Sequence, residues 1–174
     1  MKLKEKVSYK DLNNLPEGNY EVIDGEVIEL APTGFEHGEY ELDIGRFLRE
    51  ALKDKGYVAV GEVGILISKE PLRIRSADVV YISKERAGKR PEGILEVPPE
   101  LVIEIISPSN TYTEIEEKVI DYLGAGVDRV LLIDPKLKRS TLFEKEKREA
   151  KIYSFEEEFE LLPGLKVRLS EVLK

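Results

Sequence analysis

The sequence has no cysteine and no tryptophan, one methionine and one histidine, His37, among 174 residues. Without cysteine there can be no disulfide framework, thiolate-bound zinc, iron–sulfur cluster or cysteine nucleophile. A single histidine excludes a multi-histidine metal site within one chain. No run approaches the roughly 18 uninterrupted apolar residues of a membrane span, and the opening MKLKEKVSYKDL has no apolar segment of the signal-peptide kind. A cytoplasmic protein is expected. Positive charge is also in short supply: 27 Lys and Arg stand against 35 Asp and Glu, a formal net charge of −8. The overall field therefore does not attract a phosphate backbone, and any contact with nucleic acid has to come from a local basic patch.

What is present is a globular composition. Apolar residues make up 41% of the chain, enough aliphatic material for a packed core and too much for a disordered segment of this charge. The length suits one domain, taken as residues 1–174. Lysine and glutamate enrichment with scarce Cys, Met and Asn resembles a thermophile's composition. The chemistry left to the chain is that of carboxylates, hydroxyls and lysines, and carboxylate oxygens suit hard ions such as magnesium or manganese.

YEVIDGEVIEL, Tyr20 to Leu30, places two short β-type runs around Asp24-Gly25, which predicts a hairpin. Thr33 to Glu36 has the capping-box pattern. Tyr40, Ile44, Phe47, Leu48, Ala51 and Leu52 then recur at helical spacing, predicting a helix to about Lys55 that Gly56 ends. Strands are expected at Glu62 to Lys69 and Ser76 to Ser83, broken by Glu70-Pro71, with a loop from Lys84 to Pro99. LVIEII, Leu101 to Ile106, reads as a central strand covered on both faces. A second helix follows, capped from Ser109, Asn110 or Thr111 and running through Leu123 with Ile115, Val119 and Tyr122 as its stripe. Gly124 and Gly126 close it, before a strand at Arg129 to Asp134. That order implies a parallel pair in a mixed sheet, an α/β (α+β) architecture. A hairpin of Thr141 to Lys145 with Lys151 to Phe155, then Pro163-Gly164 and a short end, completes the reading.

Several residues do not suit their surroundings. Glu104 sits in the middle of LVIEII, where an ionised carboxylate is costly unless paired or bound to a cation. Asp78 opens a similar run, ADVVYI. Two carboxylates on neighbouring strands, facing the same way, make a divalent-cation site; alternatively Glu104 pairs with Arg129 or Lys118 and Asp78 is a strand-end residue. Lys118 flanks the second helix's stripe, so it either reaches inward or lays its stem on the core with its head in water. His37, at the start of the first helix, is open to capping, packing or solvent. Glu21, Asp24, Glu26 and Glu29 are most simply the solvated face and turn of the first hairpin. Arg73, Arg75, Lys84, Arg86, Lys89 and Arg90 flank the Asp78 strand and either hold a phosphate backbone or form a solvated loop.

The stretch LEVPPELVIEIISPSNTYTEIEEKVIDYLGAGVDRVLLIDP, Leu95 to Pro135, resembles the signature of the Uma family of restriction endonuclease-like proteins, a domain of unknown function within the PD-(D/E)XK nuclease superfamily. YEVIDGEVIEL with PTGFEH, and IRSADVV, resemble the family's amino-terminal hairpin, its histidine-bearing helix start and its Pro-Asp strand. The resemblance implies a restriction-endonuclease-like core: a mixed curved sheet flanked by two main helices, with hairpins at both ends and one or two magnesium ions. By the same resemblance Asp78 is the metal-binding aspartate, Glu104 the third-strand glutamate and Lys118 the helix lysine. His37 matches a family histidine of unassigned role, and Glu21 a hairpin glutamate that completes the site. Arg73 and Arg75 are the nucleic-acid contacts offered. Two departures stand out: Ala77 replaces the usual proline, and Ile106 occupies the position of the superfamily's catalytic lysine, a role that would pass to Lys118.

The leading expectation is thus an endonuclease using magnesium or manganese on nucleic acid, DNA before RNA. So small a nuclease is expected to need a homodimer to engage both strands. A catalytically silent nucleic-acid- or protein-binding module on the same scaffold is the second reading, favoured by Ile106 and the charge of −8. A purely structural domain, with Glu104 in a salt bridge, is the third.

Overall fold

The computed structural model describes residues 6–174, so the first five residues of the amino-terminal stretch read above lie outside it. A 3-10 turn (Tyr9–Asn14) leads into a hairpin of β1 (Tyr20–Ile23) and β2 (Glu26–Glu29). Asp24 and Gly25 turn it with φ of 52° and 85°, a left-handed pair that Asp tolerates and Gly adopts freely. Helix α1 (Phe35–Ala51), the long strands β3 (Gly56–Lys69) and β4 (Leu72–Ser83), a single turn α2 (Lys84–Ala87) and β5 (Leu101–Ile105) follow. Helix α3 (Tyr112–Ala125) crosses to β6 (Arg129–Asp134). The chain ends with β7 (Arg139–Glu144), β8 (Lys151–Ser154), β9 (Glu158–Leu162), β10 (Leu165–Arg168) and α4 (Leu169–Val172). Among the described residues no helix is long and apolar enough to cross a membrane.

The structure corrects the sequence reading at several boundaries. Gly34, not Thr33, caps α1 and no side chain bonds there; the helix stops at Ala51, four residues short of Lys55, and Gly56 opens β3. Ala51, assigned to the buried stripe, is exposed. β3 and β4 extend well before Glu62 and Ser76 because each is the other's partner along nearly its full length, a gain that local composition does not reveal. The loop after Ser83 contains α2, and its Leu95 bridges to Ile65. Gly124 lies inside α3, which Gly126 ends. The tail is not a short end: Pro163-Gly164 turns the β9–β10 hairpin, and its Phe159, Leu161 and Val167, with Leu169 of α4, are buried. α3 is capped at Thr111, one of the three candidates, in a capping box that the sequence reading did not name, with Thr111 and Glu114 bonding reciprocally.

The main sheet runs β2-β1-β4-β5-β6-β7-β8, with β3 on the remaining edge of β4. β5 and β6 are parallel, in register from Leu101↔Arg129 to Ile105↔Ile133, and the other pairs are antiparallel. All five residues of β5 are buried, because both faces are covered. Leu101, Ile103 and Ile105 pack with Ile44 and Leu48 of α1 and with the β9–β10 hairpin. Val102 packs on the opposite face with Val119 and Tyr122 of α3. The alternation sends Glu104 to the α3 side.

β4 meets β1 at Ile74 and β5 only from Val79 onward, on the edge away from β3. Residues 75–78 therefore face a fork between two strands. The candidate site residues Glu21, Asp78, Glu104 and Lys118 gather there.

Candidate active site

The β4–β5 ladder runs Tyr81↔Leu101, Val80↔Val102, Val79↔Ile103, and its next step sets Asp78 opposite Glu104. There the strands part. Asp78 fills the gap, its Oδ2 accepting the Ile105 amide at 2.6 Å in place of a ladder bond. Its side chain is thereby fixed while Oδ1 stays directed at the cleft, 3.1 Å from His37 Nε2.

Helix α3 supplies the groups that meet Glu104. Lys118 and Tyr122 are four residues apart, so both project from one face of the helix. Lys118 Nζ is 2.9 Å from Glu104 Oε1, and Tyr122 donates to the same oxygen at 2.5 Å. Nζ also donates to the Ser76 carbonyl at 2.7 Å, satisfying backbone that the fork leaves without a strand partner. Burial pushes the Glu104 carboxyl up to about 8, against the pull of the Lys118 ammonium. Burial opposes the charge on Lys118, but the Glu104 and Glu21 carboxylates outweigh it and raise its pKa. Of the partners open to Glu104, Lys118 is the one found; Arg129 turns instead to Glu144 and Glu160.

Glu21 corrects the simple hairpin reading. Its strand is interior, between β2 and β4, so the side chain is buried. Glu21 Oε1 accepts the Ser76 amide at 3.1 Å, Oε2 accepts from Arg75 at 2.9 Å, and Lys118 Nζ lies 3.4 Å away. Arg75, also buried, donates its Nε to Asp121 at 2.6 Å, and Arg73 donates to both Asp121 and Asp24. The guanidinium groups of both arginines thus face carboxylates. Ile106, in the superfamily lysine position, packs its side chain on the α3-side core, and Ala77 is fully buried.

On the other side, α1 contributes His37 and, one turn on, Glu41. His37 Nε2 stands 3.2 Å from Glu41 Oε1, and the ligating atoms of His37, Glu41 and Asp78 all lie within 4.8 Å of one another. Hydrogen bonding to Asp78 and then Glu41 lifts the His37 pKa to about 10. Glu41 is only 7% exposed, and its Oε1 makes no hydrogen bond of acceptable geometry. Sequence reasoning missed it, although it stands three residues before Ile44 and seven before Leu48, inside the apolar stripe.

Glu62 was also missed as a site residue. The β3–β4 register passes from Val60↔Val79 to Val63↔Ala77, so Gly61 and Glu62 together oppose Asp78 in a β-bulge. Gly61 takes φ of 87°, natural for glycine, but Glu62 takes 58°, a conformation that costs a side-chain-bearing residue about 1 kcal/mol or more. Burial first, then the Asp78 charge, pushes the Glu62 carboxyl up to about 7.

Glu21, His37, Glu62, Asp78, Glu104 and Lys118 line one cleft of about 1030 Å³, which also holds Phe35, 83% exposed. Its walls carry seven carboxylates (Glu21, Glu36, Glu62, Asp78, Glu104, Glu114 and Glu117) against Arg75, Lys118, Lys136 and the His37 imidazolium, so added positive charge would favour the entry of a polyanion. The orphaned buried oxygen of Glu41 beside Asp78 Oδ1 fits a divalent cation, which would supply that charge and the missing partner together.

The whole architecture is shared with a crystal structure described as "a putative nuclease belonging to DUF820" from Anabaena variabilis, at a TM-score of 0.81 and 16% identity, covering 96% of this chain and 97% of that one. No curated protein matches the sequence. The model of the Uma2 family, described as "Putative restriction endonuclease", matches residues 7–171. Spanning as it does the fork, both helices and every carboxylate of the cleft, that match shows that the chain belongs to the Uma2 family.

Proposed function

We propose that this protein is a metal-dependent endonuclease that hydrolyses phosphodiester bonds of nucleic acid, DNA in preference to RNA. Asp78 and Glu104 hold magnesium or manganese and Lys118 assists. The observation that carries the reading is the fork in the sheet, where Asp78 and Glu104 stand opposite each other with Lys118 Nζ 2.9 Å from Glu104. A bound divalent cation would lower the pKa of a coordinated water and neutralise charge on the scissile phosphate. The residues of the chain do the rest. Asp78 is held in place by the Ile105 amide and Glu104 by the Tyr122 hydroxyl, so neither has to reorganise as charge develops. Lys118 has ammonium protons to offer a phosphate oxygen or the attacking water once a cation shares Glu104.

A homodimer would let two such clefts face the two strands of a duplex. Ile106 favours the second reading, a silent binding module, because the usual lysine is absent. One assay separates the two. Supercoiled plasmid and single-stranded RNA are incubated with the protein in magnesium, manganese or chelator, alongside the Glu104→Gln variant. The proposal expects cation-dependent cleavage of DNA, lost with the chelator and reduced about 10²-fold or more in the variant. Retention of nucleic acid without cleavage in either cation would overturn it in favour of the binding module.

A further inference from the structure

We infer that His37, Glu41 and Asp78, closed on the cleft side by Glu62, form a mixed nitrogen and oxygen cation site that prefers manganese(II)-class ions to magnesium. The inference deepens the nuclease reading and shares Asp78 with it, but uses ligands from a different wall of the cleft.

The geometry is that of adjacent ligands on one ion. Ligand bonds of about 2.2 Å meeting at right angles span about 3.1 Å. His37 Nε2 is 3.1 Å from Asp78 Oδ1 and 3.2 Å from Glu41 Oε1. His37 and Glu41 are placed by the i, i+4 spacing of α1 and Asp78, on β4, by its bond to the Ile105 amide, so the three donors sit on two separately anchored elements.

Glu41 supplies independent evidence for a ligand. Its buried Oε1 has His37 Nε2 as a charged neighbour at 3.2 Å but no hydrogen bond of acceptable geometry, so it recovers only part of its lost hydration, and an unmade hydrogen bond to a buried charged group costs about 1 to 3 kcal/mol or more. A cation in front of it removes that cost. Glu62 opposes Asp78 from the β3 bulge and lines the same cleft, and among the described residues no cation or donor is paired with its side chain. Its strained backbone is retained although Gly61 beside it already accommodates the turn.

The nitrogen decides the class of ion. Magnesium favours all-oxygen shells and keeps its waters, whereas imidazole raises affinity for first-row transition ions. Three carboxylates beside one imidazole point to manganese or a neighbouring ion, not to a thiophilic metal.

Because His37 is the only histidine, labelling the full chain with [15N]histidine marks one imidazole. The labelled protein is loaded with manganese(II) and examined by pulsed electron paramagnetic resonance, and manganese and magnesium affinities are measured by calorimetry. The expected results are a nitrogen coupling that changes with the isotope and manganese binding at least tenfold tighter than magnesium. Glu41→Gln and Glu62→Gln, both close in shape to the native residues, should each weaken manganese binding about tenfold. Bound manganese without a nitrogen coupling, or equal affinity for the two ions, overturns the inference. Cleavage in magnesium together with such a result leaves the nuclease reading standing, while a nitrogen coupling without any cleavage removes that reading and leaves this site.

Discussion

Lys118 Nζ lies 2.9 Å from Glu104 Oε1 and 2.7 Å from the Ser76 carbonyl oxygen, so one ammonium ties β5 to the stretch of β4 that has no strand partner on the edge away from β3. The contact serves two ends. It compensates a carboxylate inside an apolar strand, and on the proposed nuclease reading it also holds an ammonium ready for a phosphate. Proximity alone does not separate those roles, but two readouts do.

Replacing Lys118 by Met should reduce magnesium-dependent cleavage on the order of 10²-fold while calorimetric metal binding persists. The same variant should be destabilised unequally with pH. Glu104 already titrates high, near 8, and loses its main charge partner. At pH 6 it can remain protonated and the loss is mostly of packing. At pH 9 the variant must bury a bare carboxylate or hold a proton against the solvent, a cost of about 3 kcal/mol. Chemical denaturation of the chelator-treated variant at the two pH values checks this, and equal losses would contradict the buried ion pair.

The sign is opposite for His37. Its folded pKa of about 10 exceeds the ordinary 6.5, because Asp78 and Glu41 favour the imidazolium. Its contribution to stability is therefore fully present below about pH 6.5 and is lost as pH rises through 10. In metal-free protein His37→Gln should lower the melting temperature clearly at pH 6 and hardly at all at pH 10.5. A shift independent of pH would mean that His37 contributes packing alone.

The sequence made the two helices and the parallel β5–β6 pair legible because their signals are local: stripes at helical spacing, capping residues from Ser109 to Thr111, a short apolar run covered on both faces. Asp78, Glu104 and Lys118 stood out for the related reason that each is a charge beside an apolar run. Glu21 was misjudged because nothing in a hairpin sequence tells an edge strand from an interior one; β1 is covered by β4, fifty residues away. Glu62 depends on the same kind of distant pairing, since a bulge exists only relative to a partner strand. Glu41 had a legible signal, a carboxylate inside an apolar stripe. It went unread because the stripe was counted by its hydrophobic members.

Arg75 joins Glu21 to Asp121, and these two carboxylates and the arginine are poorly accessible, whereas its third and most distant partner, Glu117 at 3.9 Å, is exposed. Arg75→Met would leave two carboxylates in the fork without their shared cation, so a loss of about 3 to 5 kcal/mol is expected in urea denaturation. Arg75→Lys should recover only part of it, because an ammonium cannot present the planar fork that reaches both partners. If Arg75 were instead a phosphate contact, the Met variant would keep its stability and the salt dependence of nucleic-acid binding would become shallower by about one phosphate.

Divalent cations should stabilise the folded protein, and the size of the effect should follow pH. Asp78 and Glu62 line one side of the cleft with Glu41 buried behind them, and burial first, then the charges of Asp78 and Glu41, raises the pKa of Glu62 to about 7. Without metal, a folded pKa above the ordinary 4.5 means that the unfolded chain gives up its proton more readily. Stability linked to Glu62 is therefore greatest below pH 4.5 and falls as pH rises through 7. Glu62→Gln should consequently raise the melting temperature of chelator-treated protein at pH 8 and leave it nearly unchanged at pH 4. With manganese the order reverses: at one hundred times the dissociation constant, binding adds about 2.7 kcal/mol to the native protein at pH 8. The variant gains less because one carboxylate is gone. At pH 5 protons compete for the same oxygens, and the manganese effect should shrink for both proteins. Thermal melts of the two proteins, with and without manganese at pH 5 and 8, provide the full set of comparisons. A manganese-induced rise that is the same in both proteins would place the ion away from Glu62.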